Sequence, residues 1–165
     1  MVGFRETLDH SRLERFYDYW QRQIPGNGML PGRQHIDPID IPLLMPWVYL
    51  TDVEREGDDL RFRHRLVGTR LAERLGREAT GRYFDEIYPE PHLAGIVSNC
   101  ETAVQSGQPH FYRTVLPIPY KDGVDNISYS RLLCPMASDG SSVDLLAGVL
   151  VFHDEDEWGA PTRLE

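Results

Sequence analysis

The chain has 165 residues, 41% of them hydrophobic and 26% charged, which suits one globular domain able to bury its own core. A net charge of -9 opposes phosphate backbones and anionic bilayers, so neither nucleic acid nor membrane is expected as a partner. Two cysteines, Cys100 and Cys134, are too few for a disulfide framework or a cysteine zinc site; with no apolar leader or membrane-length stretch, a reducing cytoplasm is the expected location.

Ser11 and Glu14 have capping-box spacing, which predicts Ser11 as an N-cap. Leu13, Phe16, Trp20 and Ile24 then recur at helical spacing and predict an amphipathic helix over 12–24, ended by Pro25-Gly26-Asn27-Gly28. Asp40 is placed to cap a short helix over 41–45, which Pro46 stops. Residues 47–53, WVYLTDV, are aromatic and β-branched and predict a strand. After a turn at Gly57, residues 60–67 (LRFRHRLV) alternate, with Leu60, Phe62, His64 and Leu66 on one face and Arg61, Arg63 and Arg65 on the other. The two strands form a hairpin.

Thr69 is placed to cap a short helix carrying Leu71 and Leu75, closed by Gly76, and Gly81 marks a further turn. Pro89 and Pro91 open a longer helix whose apolar face is Leu93, Ile96, Val97, Cys100 and Val104; Gly107 and Pro109 end it. Strands follow over 111–118, 127–136 and 143–152, with a loop from Lys121-Asp122-Gly123 and a turn at 138–141. The last strand, VDLLAGVLVF, is apolar on both faces and is expected at the centre of the sheet.

This order predicts an α+β fold: a five-stranded antiparallel sheet with helices packed on one face, plus an N-terminal amphipathic helix. Three parts are expected: helix and linker over 1–30, a core over 31–153 and an acidic tail over 154–165. The glycines of Gly76-Arg-Glu-Ala-Thr-Gly81 have P-loop spacing, but Arg82 and Tyr83 replace the lysine and hydroxyl, and a helix rather than a strand precedes them. They read as turn glycines.

Three segments, HIDPIDIPLLMPWVYLTDV, RLVGTRLAERLGREATGRYFDEI and YSRLLCPM with DLLAGVL, together resemble a PAS-type sensory domain. The nearer resemblance is to short, stand-alone, mostly proteobacterial PAS-like proteins, over roughly residues 33–152. It implies a fold and a sensory or regulatory role, and supplies no ligand, cofactor or functional residues.

The ligand-pocket candidates are Trp47, Tyr49, His64, Ile96, Cys100, Tyr129 and Arg131. His64, on an apolar strand face, reads first as a hydrogen-bonded core histidine and second as a ligand contact. Cys100 follows Asn99 as in light-sensing PAS relatives, but the arginine of their Asn-Cys-Arg setting is missing and the cysteine lies in the long helix, so it reads as a buried thiol. Arg131, if it points inward, needs a carboxylate partner, the first expectation, or an anionic ligand. Trp47 and Tyr49 share a strand phase. The Arg61, Arg63 and Arg65 stripe reads as a solvated face paired with Asp52 and Glu54. Phe16, Trp20 and Ile24 lie outside the core segment and need a cover, for which a second copy is one solution.

The leading expectation is a non-enzymatic sensory module that binds a small ligand between sheet and crossover helices and signals through a partner protein. The rivals are a ligand-free homodimerisation or interaction module, selected by a filled apolar interior, and a small enzyme using His64 with a nearby acid.

Overall fold

Five antiparallel strands run in the order β2-β1-β5-β4-β3, where β1 is Val48–Glu56, β2 Asp59–Val67, β3 His110–Tyr120, β4 Gly123–Met136 and β5 Leu145–Phe152. The structure, a computed structural model, describes residues 1–76, 78–120 and 123–155, the side chains of 116–120 and 123–125 excepted. The predicted loop at Lys121-Asp122 and most of the predicted tail fall outside the described residues. As the apolar run predicted, β5 is the middle strand; it pairs with β1 and β4, and every one of its residues is buried.

Burial on both faces requires a cover on each. α4 (His92–Ser106) packs against β3, β4 and β5 on the face that carries Tyr129 and Arg131, burying Ile96, Cys100 and Ala103. α1 (Ser11–Arg22) packs against β4 and β5 on the other face, where Trp20 Nε1 donates to the Pro135 carbonyl at 3.1 Å. Leu13, Phe16 and Trp20 are at most 3% exposed, so the apolar stripe of α1 is covered within the chain itself. Each such side chain contributes about 1.5–3 kcal/mol by leaving water. The need for a second copy to cover Phe16 and Trp20 therefore does not arise. Ile24 lies beyond the helix and is 37% exposed.

Several local details differ from the sequence expectation. His10, not Ser11, caps α1, its Nδ1 accepting from the Arg12 amide at 3.0 Å. The short helix expected after Asp40 is replaced by two 3₁₀ turns, Pro38–Asp40, capped by Asp37, and Met45–Trp47. Trp47 thus closes a turn and does not begin the strand. α2 (Thr69–Leu75) ends at Gly76 in the left-handed conformation, as its position predicted, but its N-cap is Gly68 and not Thr69. A Cβ on Gly68 would collide with the carbonyls of Met45 and Pro46, so a side chain has no room where strand passes into helix. A one-turn helix, α3 (Phe84–Ile87), has no counterpart in the sequence reading.

The largest difference lies in the hairpin. The register between β1 and β2 shifts after Leu50: Thr51 faces His64, but Leu50 faces Leu66. Arg65 is the extra residue of a β-bulge. Strict alternation therefore stops at His64. Leu66 joins Arg65 on the outer face opposite Leu50, and Val67 takes the inward place that alternation assigned to Leu66.

Candidate ligand-binding site

Between the sheet and the segment running from α2 to α4 lies a cavity of about 40 Å³. Its sheet wall is Tyr49 from β1, His64 and Val67 from β2, Tyr129 and Arg131 from β4, and Leu150 and Phe152 from β5. α2 supplies Leu71, Arg74 and Leu75, and the entry to α4 supplies Tyr88 and His92. Tyr49 is held in place by its neighbour across the ladder, Gly148: a Cβ there would fall inside the tyrosine ring.

Arg131 is the centre of the site. It is 6% exposed, and its guanidinium carbon lies 5.1 Å from the Tyr49 ring, 5.3 Å from Tyr129 and 5.9 Å from Tyr112. Cation–π attraction and phenol dipoles offset part of the cost of burying the charge. The ion pair expected for it is not made: no carboxylate among the described residues reaches it. A guanidinium keeps its charge at any accessible pH. The groups around it stay neutral. Burial lifts the Tyr88 phenol to about 12 against the pull of Arg131, and pushes the Tyr49 and Tyr112 phenols higher still. Burial, helped by repulsion from Arg131, lowers His64 to about 4.

Polar atoms here lack partners. The hydroxyls of Tyr49 and Tyr129, the Nδ1 of His64 and the Nε of Arg131 are buried without a hydrogen bond. Such atoms are rare in folded interiors and mark a place for water, an ion or a ligand. His64 is otherwise the core histidine expected, its Nε2 sharing a 2.9 Å hydrogen bond with the Tyr88 hydroxyl.

The fold brings together Tyr49, His64, Tyr129 and Arg131 from the candidates. Ile96 lines an adjoining groove of about 260 Å³ with Tyr112 and His92. Cys100 is a fully enclosed thiol beside Arg131, raised to about 12 by burial. Trp47 does not share the site with Tyr49; it lies on the α1 side, with the Arg12 guanidinium stacked 3.8 Å over its ring. Sequence reasoning missed Tyr88, Leu71, Arg74 and Phe152. Arg74 closes one side, stacked 4.3 Å over Phe152 and paired with Glu155 at 2.8 Å and Asp154 at 2.9 Å.

Two other polar groups are structural. Arg63 and Arg65 pair with Asp52 and Glu54, and Arg61 lies over the Tyr83 ring, so the basic stripe is a paired face as expected. Ser130, fully buried, lies 2.6 Å from Asp9 and 2.7 Å from His153 Nε2. This is not a nucleophilic triad. In a triad the acid orients the histidine's second nitrogen, whereas Asp9 accepts the serine's own hydrogen bond and approaches the same His153 nitrogen that faces the serine. The cluster ties the chain before α1 to the end of β5.

A family model described as a PAS domain matches residues 8–151. The chain belongs to the PAS domain family. Among solved structures, a light-oxygen-voltage domain studied with a flavin analogue is 16% identical, with a TM-score of 0.47, over 73% of this chain and 86% of that one. The Rhodobacter sphaeroides light-oxygen-voltage protein is 13% identical, with a TM-score of 0.46, over 74% of this chain and 71% of that one. A Drosophila melanogaster Cycle PAS-B domain with bound glycerol is 14% identical, with a TM-score of 0.44, over 63% of this chain and 98% of that one. No curated protein matches. Among the described residues no metal-ligating cluster occurs, and no helix is long and apolar enough to cross a membrane.

Proposed function

We propose that this PAS domain is a sensory or regulatory module that binds a small molecule in the cavity around Arg131 and passes the signal to a partner protein. One observation carries the reading: four buried polar atoms without partners, on Arg131 and on Tyr49, His64 and Tyr129 around it, gather where sheet and crossover helices meet. A module built only for interaction gains nothing from leaving these groups unpaired, since each costs about 1–3 kcal/mol when buried unsatisfied. The polar, incompletely filled interior disfavours the ligand-free rival. The enzyme reading loses its motive too, because His64 meets Tyr88 and not an acid.

A ligand that binds here acts by favouring one packing of α2 and the following segment against the sheet. Arg74 links that packing to Asp154 and Glu155 just past β5, which offers a route to a partner. Native mass spectrometry of the purified protein, followed by thermal unfolding against a panel of small metabolites, tests the reading. The expected result is a small adduct or a ligand-dependent rise in midpoint. An unliganded mass together with no response to any compound refutes it.

A further inference from the structure

We infer that the cavity takes a short-chain monocarboxylate, its two oxygens on the Arg131 guanidinium and its alkyl tail among Leu71, Leu75 and Leu150. This rests on the ligand-binding reading above and names the chemical class of the ligand.

Charge comes first. Arg74 also lines the cavity, but Asp154 and Glu155 already meet its charge. Among the described residues no carboxylate meets the charge of Arg131, whose neighbours are phenol rings and the His64 imidazole that burial keeps neutral. A buried cation with only dipoles around it is incompletely stabilised, and a monoanion completes the pair. A dianion would overcompensate a single charge.

Donor pattern comes second. The Nε of Arg131 and the hydroxyls of Tyr49 and Tyr129 are unpaired donors on three residues that line one small space. Donors of this kind select a ligand rich in acceptors. A planar guanidinium matches a planar carboxylate, with two parallel hydrogen bonds, better than any tetrahedral anion.

Size and polarity come third. At roughly 10–15 Å³ per water-sized group, 40 Å³ holds about three to four such groups, so the fit is to an acid of acetate size, with propionate at the upper limit. Val67, Leu71, Leu75, Leu150 and Phe152 give the same space an apolar side. A strongly hydrated inorganic anion gains nothing from that side, whereas a methyl or ethyl group does.

The test uses the full chain with sodium propionate, propionamide, sodium nitrate and sodium chloride at matched ionic strength. Thermal unfolding and the ¹⁵N signal of the Arg131 Nε–H are followed together. Propionate is expected to raise the midpoint and move the Arg131 signal; propionamide and chloride are expected to do neither, and nitrate less than propionate. Tyr49→Phe keeps the ring and is expected to weaken the propionate response about tenfold, the size of one charge-assisted hydrogen bond. Arg131→Met is expected to abolish it, and Tyr49→Phe serves where that variant does not fold. Equal responses to propionamide and propionate overturn the anion assignment while leaving ligand binding intact. Nitrate matching propionate overturns the role of the alkyl tail. Responses no larger than that to chloride overturn the inference, and the sensory reading falls with it only if native mass spectrometry and the wider panel are also blank.

Discussion

Replacing Gly148 by alanine tests how the site is built. Gly148 has no left-handed backbone demand, and an alanine in a strand is ordinarily better than glycine by about 0.5–1 kcal/mol. The structure reverses that sign. The new methyl group would lie within the ring of Tyr49, the cross-strand neighbour, so the ring must leave its rotamer or the strands must part. Overpacking of this kind costs about 1–3 kcal/mol. For a chain of this length that lowers the thermal midpoint by about 2–12 °C. Urea unfolding followed by circular dichroism measures the change. The same substitution made in a Tyr49→Ala background has nothing to strike, and there Gly148→Ala is expected to be neutral or stabilising. Equal costs in both backgrounds would show that Tyr49 does not lie across Gly148 and would undo the geometry proposed for the cavity.

Three further outcomes follow from the packing. His64 has a folded-state value of about 4 against an ordinary 6.5, so its contribution is whole above pH 6.5 and is lost as the unfolded chain takes up the proton on descent toward pH 4. That loss amounts to about 3 kcal/mol, and His64→Gln should flatten the fall in midpoint across this window; an unchanged acid slope would contradict it. Cys100 and Cys134 are enclosed, and burial raises both thiols, so native protein should resist iodoacetamide at neutral pH and react only in denaturant, as mass spectrometry would record. Phe62→Asp, at a 2% exposed position, should prevent folding, whereas Leu66→Asp, half-buried beyond the bulge, should cost only about 1–2 kcal/mol; equal losses in chemical denaturation would argue against the bulge.

The sheet was legible because its strands carry strong local signals. The two-faced apolar run of β5 announced a central strand, and Gly57, Gly76 and Gly107 sit at turns or helix ends with positive φ. The bulge was not legible, because Arg65 looks like one more member of an alternating series and only pairing with β1 reveals it as extra. α3 is a single turn, too short for a period to show. The phase of β4 was unreadable for a physical reason. From Tyr129 to Met136 every residue of that strand is buried, so Ser130 points to one polar cluster while Tyr129 and Arg131 point to another, and no solvent-facing side sets the pattern there. The partner of Arg131 was misjudged because the residues around it, Tyr49, Tyr112 and Tyr129, come from three strands and meet only in the folded sheet.

Leu150 has a position whose consequence reaches both layers of the molecule. Its side chain borders the cavity, while its carbonyl, on the same residue, accepts a hydrogen bond from Arg12 of α1 at 3.2 Å. A single peptide unit thus stands between the interior chamber and the helix on the far side. Any displacement of that residue is therefore felt at once by the cavity wall and by the Arg12 contact of the outer helix.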